Sequence, residues 1–303
     1  MSNAEPTSGS DVRIRPMRPD DVAAVERLTS QSYYELDQRT SPRGASDPSP
    51  RSAARGLLWQ RRVHHLLGTD PGGCWVAEVD GAVVGTAVSF NRELMWVLAS
   101  FAVRPDLQGA GIGAQLLAGA LHHGRGCLRG ILSASADPKA ARRYKLAGFD
   151  LHPQMLLRGH VERSAIPVVD RVREGSAGDY DLMDSVDRRA RGAAHGPDHA
   201  VLAAEFLLLV ADRSTGSGYV YATETGSPVL LAATNRRTAA DLTWAALAMS
   251  PPDVAVEIPH VTAANQWAID LGIAARLDLH TLGYLAVRRM KPPAPYLHHG
   301  SFL

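Results

Sequence analysis

The feature that most limits what this chain can fold into is that it repeats itself. The segment RPMRPDDVAAVERL, starting at Arg15, returns as REGSAGDYDLMDSV, starting at Arg173, and Asp21 falls on Asp179 at a constant offset. Both aspartates precede apolar residues at helical spacing. CWVAEVDGAVVGTAVSF reads as two strands around an Asp80-Gly81 turn. FLLLVADRSTGSGYVYA echoes it, with Gly218 in the place of Gly85. Strand, helix, strand, helix, strand then follow in each half, ending at FDLHPQMLLR in the first and ARLDLHTLGYLAVRR in the second. A repeat this long exceeds the roughly 20–50 residues of solenoid units and argues for duplicated domains. The expected spans are 11–163 and 168–291, with ERSAIPVV breaking the pattern between them. Residues 292–303 end in an apolar pair after prolines and are expected to pack on the body. The stretch Ser41–Gly56, rich in Ser, Pro and Gly, reads as a mobile loop.

Charge excludes little but does remove some classes. Lys and Arg number 32 against 31 Asp and Glu, so nothing calls for nucleic acid or an acidic membrane. Cys74 and Cys127 are the only cysteines, too few for a disulfide framework and suited to a reducing cytoplasm. No apolar run approaches the ~18 residues of a membrane span, and no secretory signal opens the chain. The doublets His64-His65, His122-His123 and His298-His299 lack ligand spacing, so no metal is expected.

The stretch that carries chemistry is QGAGIG, Gln108 to Gly113, between an apolar run and a helical pattern. Amides at a helix start are unpaired and attract anions, and glycines let the backbone approach a phosphate. Gly109-x-Gly111-x-x-Ala114 satisfies the dinucleotide fingerprint, but RPDLQ separates it from its strand and the preceding strands are hairpin-linked. A nucleotide P-loop is excluded, because Gly113 is followed by Ala114 and Gln115 rather than by Lys and Ser or Thr. The wider segment LASFAVRPDLQGAGIGAQLL resembles the coenzyme-A-binding motif of the GNAT N-acetyltransferase superfamily, with Gln108, Gly111 and Gly113 at its marked positions. DPKAARRYKLAGF resembles the family's second motif through Ala140, Tyr144 and Gly148-Phe149, with Asp137 where the family often has Asn. The likeness runs from about residue 11 to 158.

That resemblance implies an α/β fold of two tandem GNAT domains, each a central mixed, mostly antiparallel sheet flanked by helices. It implies acetyl-CoA as co-substrate. Its pyrophosphate would rest on the amides of Gln108, Gly109, Ala110, Gly111, Ile112, Gly113 and Ala114, with Asp137 and Ala140 nearby. Its pantetheine arm would pair with the backbone of Phe101, Ala102 and Val103, and a backbone N–H would polarise the thioester. An amine would attack directly in a ternary complex, and Tyr144 would protonate the departing thiolate. Where many members carry a basic Glu this chain has Val97, which makes Glu93 the first candidate base and the Leu303 carboxylate another. Tyr33, Tyr34 and Glu35, with Asp37 close by, mix aromatic faces with carboxylates and suit a cationic acceptor. The second half places Thr234, Arg237 and Ala239 at Gln108, Gly111 and Gly113, and Ala268 at Tyr144, so its motifs are degenerate. The expected activity is N-acetylation of a primary amine on a small molecule or peptide, in the cytoplasm, with a homodimer left open. The alternative is a non-catalytic acyl-CoA-binding module.

Overall fold

The computed structural model describes residues 12–40, 47–170 and 172–303. Asp11 and residues 41–46, parts of the expected first strand and loop, lie outside the described residues. The chain divides into two compact units: the residues up to Phe90 with Ser100–Arg125, and Asn91–Ala99 with Gly126–Leu303.

The first unit contains β1 (Arg13–Pro16), α1 (Val22–Thr40), α2 (Ala53–Thr69), β2 (Cys74–Val79), most of β3 (Ala82–Arg92), the end of β4 (Met95–Val103) and α3 (Ile112–His123). β1 pairs antiparallel with β2, and β2 with β3. Asp80 and Gly81 turn that hairpin with φ of 50° and 77°. Two successive positive φ values match the right-handed twist of the flanking strands, which is why Asp-Gly announces the turn. α1 buries Val22, Val25 and Leu28, and α3 buries Ile112, Leu116, Leu117 and Ala120. Each of the Val, Leu and Ile side chains contributes roughly 1.5–3 kcal/mol when fully buried.

The second unit opens with the start of β4, which pairs parallel with β5 (Arg129–Ala134) as far as Leu98. α4 (Pro138–Leu146), β6 (Asp150–Gly159), β7 (Arg173–Glu174), α5 (Tyr180–Ala190) and α6 (Asp198–Ala203) follow. Then come β8 (Leu207–Arg213), β9 (Gly216–Ala222), β10 (Pro228–Ala233), α7 (Arg236–Ala248), β11 (Val256–Thr262), α8 (Gln266–Ala274), β12 (Asp278–Arg288) and β13 (Tyr296–Leu297). Among the described residues no helix is long and apolar enough to cross a membrane.

The repeat holds at the level of single contacts. Arg15 donates to both carboxylate oxygens of Asp21, at 2.7 and 2.9 Å, and Asp21 accepts from the Arg18 amide. Arg173 does the same to Asp179, at 3.0 and 2.5 Å, and Asp179 accepts from the Ser176 amide. Each aspartate therefore caps a helix entry and anchors it to the preceding strand. The strand order is less regular. Within the second unit the strands run β5-β12-β6-β11, and β13-β10-β9-β8-β7 form a further sheet. β12, the last long strand of the second half, lies antiparallel to β5 of the first, while β6 pairs with β11. The two final strands are thus exchanged and pair with each other at the centre. The tail is buried as well, with Phe302 and Leu303 fully enclosed.

Candidate functional site

The glycine loop of the first unit has the geometry of an anion cradle. Gly109 and Gly111 take φ of 99° and 84°, a region glycine enters without strain. A side chain at either would meet open space, so backbone conformation and not crowding demands glycine there. Gly111 is the cap of α3 and supplies no side-chain acceptor to its first turn. Among the described residues the amides of Gly109 to Gly113 have no intramolecular acceptor, while those of Gln108, Ala114 and Gln115 do. Five neighbouring N–H groups at the positive end of a helix dipole favour a phosphate-like charge.

The strand leading into this loop pairs with β3 along one side. The Arg104 amide donates to Val84 O at 2.8 Å, which turns Arg104 and its alternates toward β3. Phe101 and Val103 therefore point their main-chain groups the other way. Tyr33 Oη lies 3.4 Å from both the N and the O of Phe101 and 3.1 Å from Ser100 Oγ. Gln108 Nε2 donates to Val103 O at 3.1 Å.

The expected acceptor residues fan apart. Tyr33 turns onto β4, Tyr34 Oη accepts from Gln38, and Glu35 accepts from Gln31 while lining a groove of about 870 Å³ beside Arg104 and Gly81. Consecutive helical residues point about 100° apart, so a run such as Tyr33-Tyr34-Glu35 does not share one face.

Of the residues in the second unit, Tyr144 is buried on α4, and Ala140 is half-buried one turn earlier. Asp137 caps α4, accepting from the Lys139 amide at 2.8 Å. Glu93 sits at the β3–β4 turn with φ of 52° and pairs with Arg188 at 2.7 Å, also accepting from the Ala194 amide. Burial pushes its pKa up, but the Arg188 and Ala194 donors outweigh it and hold the carboxyl below its ordinary range. Such a carboxylate is a weakened base. Val97 is fully buried.

The corresponding places in the second half are filled by the protein itself. Thr234 N donates to Ser217 O at 2.8 Å as Arg104 does to Val84, so the structure sets Thr234 at Arg104 and not at Gln108, where the sequence alignment put it. Leu231 and Ala233 then correspond to Phe101 and Val103. The tail strand β13 occupies their edge: Leu231 pairs with Leu297, and Ala233 N donates to Pro295 O. At the head of α7, Asn235 Oδ1 accepts from the Thr238 amide at 2.9 Å, closing the helix start that α3 leaves open.

A buried polar cluster escaped the sequence reading. Asp187, His195 and His199 bring ligand atoms within 4.8 Å of one another, a donor set that suits zinc. Its hydrogen bonds fix the proton positions. Arg191 donates to His195 Nε2 at 3.0 Å, so the ring proton is on Nδ1 and is given to Asp187 Oδ2 at 2.6 Å. Tyr219 donates to the other Asp187 oxygen at 2.6 Å. Burial and the Arg191 charge push the His195 pKa down to about 4, which keeps the ring neutral. These bonds tie α5 to β9, and His199 Nε2 of α6 lies 3.5 Å from Asp187 Oδ2, buried and without a hydrogen bond. The spacing of four between His195 and His199 was its one trace in the sequence, obscured because only His199 lies on a helix.

Residues 30–149 match the sequence model of a family described as Acetyltransferase (GNAT) family. Among curated proteins, none matches the sequence significantly. A solved structure of a candidate acetyltransferase from Pyrococcus horikoshii superposes with a TM-score of 0.71 at 20% identity, over 99% of this chain and 98% of that one. A tandem GNAT protein from the clavulanic acid biosynthesis pathway gives 0.58 at 16%, over 93% and 99%. A GCN5-related N-acetyltransferase from Sphaerobacter thermophilus gives 0.57 at 14%, over 93% and 96%. At these identities the likeness is one of fold, and it extends through both halves.

Proposed function

With residues 30–149 forming a domain of the GNAT acetyltransferase family, we propose that the chain transfers the acetyl group of acetyl-CoA to a primary amine of a small molecule or peptide. The observation that carries this reading is the row of unsatisfied amides from Gly109 to Gly113 at the uncapped start of α3. They suit the pyrophosphate of coenzyme A, whose amide-bearing arm would then run along β4 at Phe101 and Val103. In the reaction the amine nitrogen bonds to the thioester carbon, the carbon–sulfur bond breaks, and the amine gives up a proton. Holding both reactants together supplies much of the rate. Tyr144 is the proposed donor to the departing thiolate, a role supported by its place in DPKAARRYKLAGF and by the high ordinary pKa of a phenol, near ~10. A reducing, cytoplasmic setting belongs to the same reading, and the free, buried thiols of Cys74 and Cys127 support it.

A second reading, a non-catalytic acyl-CoA-binding module, is favoured by Val97 at the usual base position and by the pairing of Glu93 with Arg188. One variant separates the two. Tyr144→Phe should lower acetyl transfer roughly 100- to 10,000-fold while leaving acetyl-CoA affinity within about twofold. If the wild-type protein binds acetyl-CoA by calorimetry yet acetylates nothing in a broad amine panel, the binding module is correct.

A further inference from the structure

One nitrogen of His199 has no hydrogen-bonding partner. The ring is fully buried, stacked on Tyr180 at 5.3 Å between centroids and set edge-on to Tyr219 at 5.5 Å. Tyr221 Oη lies 3.2 Å from His199 O and 3.3 Å from His199 Nδ1. A carbonyl oxygen can only accept, so the phenol proton goes there and the hydroxyl accepts from Nδ1. Nε2 is then the bare nitrogen, buried and without a hydrogen bond. It looks onto two carboxylates of α5, with Asp184 Oδ1 at 3.2 Å and Asp187 Oδ2 at 3.5 Å. A lone pair held against two anionic oxygens in the interior is repulsive unless a cation lies between them.

We infer that a divalent transition-metal ion, zinc by the choice of donors, binds between His199 Nε2, Asp184 Oδ1 and Asp187 Oδ2. The distances suit ligands of one ion. Zinc bonds to nitrogen and oxygen at about 2.0–2.2 Å in a tetrahedron, which sets neighbouring donors roughly 3.3 Å apart. Such donors aim at the shared ion and not at one another, and His199 Nε2 bonds to neither oxygen at that range. Asp184 and Asp187 stand three apart on α5, the spacing that puts two side chains on one face. His199 meets them from the first turn of α6, so the ion joins the two helices. His195 stays outside, because its Nδ1 is 2.6 Å from Asp187 Oδ2, too close for two ligands of one ion, and already donates there. That bond, with Tyr219 on Asp187 Oδ1 and the Gly196 amide on Asp184 Oδ1, orients the two carboxylates. The Asp184 side chain is 20% exposed and gives the ion a way in, and three protein donors leave the fourth position to water. The histidine doublets, which gave no reason to expect a metal, take no part.

The test uses the full chain, stripped with a chelator and titrated with zinc chloride. One equivalent should bind by calorimetry, and the melting temperature should rise as zinc is added. Magnesium at the same concentration should give no such rise, since it prefers oxygen donors and sheds water reluctantly. His199→Gln should weaken zinc binding by about 100-fold or more, because losing a ligand costs more than losing a group behind one. Asp184→Asn should weaken it by about tenfold or more. Asp184 is partly exposed, so Asp184→Asn decides the matter should His199→Gln fail to fold. A histidine that only packed among tyrosines would leave zinc binding unmoved in both variants. Zinc uptake that survives in the folded variants places the ion elsewhere and overturns the site. A wild-type chain that takes up no zinc, or takes up magnesium equally well, overturns it too.

Discussion

Gly111 shows how a single backbone angle can be a functional requirement. Its φ of 84° turns the chain so that successive amides face outward, and nothing crowds its missing side chain. Gly111→Ala should therefore cost about 1–2 kcal/mol of left-handed strain without a clash, or relax the angle and misaim the amides. A relaxed angle should lower acetyl-CoA affinity about tenfold, whereas a retained one should lower the melting temperature and leave affinity unchanged, so a thermal melt beside the titration separates the two outcomes. Residues of this kind are legible in a sequence because glycine spacing records the angles directly. Glu93 was not legible in the same way. Its partners Arg188 and Ala194 stand almost a hundred residues away, and only the fold reveals that its charge is already engaged. The Asp187–His195 pair was equally hidden, since a carboxylate and an imidazole acquire meaning from the Arg191 and Tyr219 that surround them.

Periodicity announced most of the elements, and the Asp80-Gly81 turn announced its hairpin, because those signals are local. β13 and α6 gave no such signal: two residues of strand and six of helix are too short to show a period. β13 matters beyond its length, for it brings the tail against β10 and carries His298 into the core. His298 is buried and its ring stacks on His260 of β11 at 4.3 Å between centroids, with Gln154 of β6 against both. Burial lowers the His260 pKa from 6.5 to about 4 and holds His298 well below its ordinary value. The unfolded chain thus binds more protons than the folded one between those values. Stability from this stack is complete above pH 6.5 and is lost as pH falls toward 4, by about 1–3 kcal/mol. Thermal melts across that window should slope accordingly, and His260→Gln should flatten the slope. A wild-type melting temperature that does not drop between pH 6.5 and 4 would contradict the assignment.

At the scale of the molecule the repeat was legible and its assembly was not. A final strand of either half satisfies the same apolar and hydrogen-bonding demands, so the amino-acid pattern does not say which neighbour it takes. The structure exchanges them, placing β12 between β5 and β6 and leaving β11 to β6. The two halves of the chain are therefore interlocked through their backbones, and the connection between them need not hold them together. That connection is accessible: Val168 is 92% exposed and lies outside any strand or helix. A protease site placed at Val168 should be cut readily in the native protein, and the two fragments should elute together and melt within a few degrees of the intact chain. Separation would require denaturant, because parting them breaks the β5–β12 and β6–β11 ladders along with the β6–β12 ladder at the centre. Fragments that part on a sizing column without denaturant would show that β6 folds back beside β5 and that the exchange does not exist in solution.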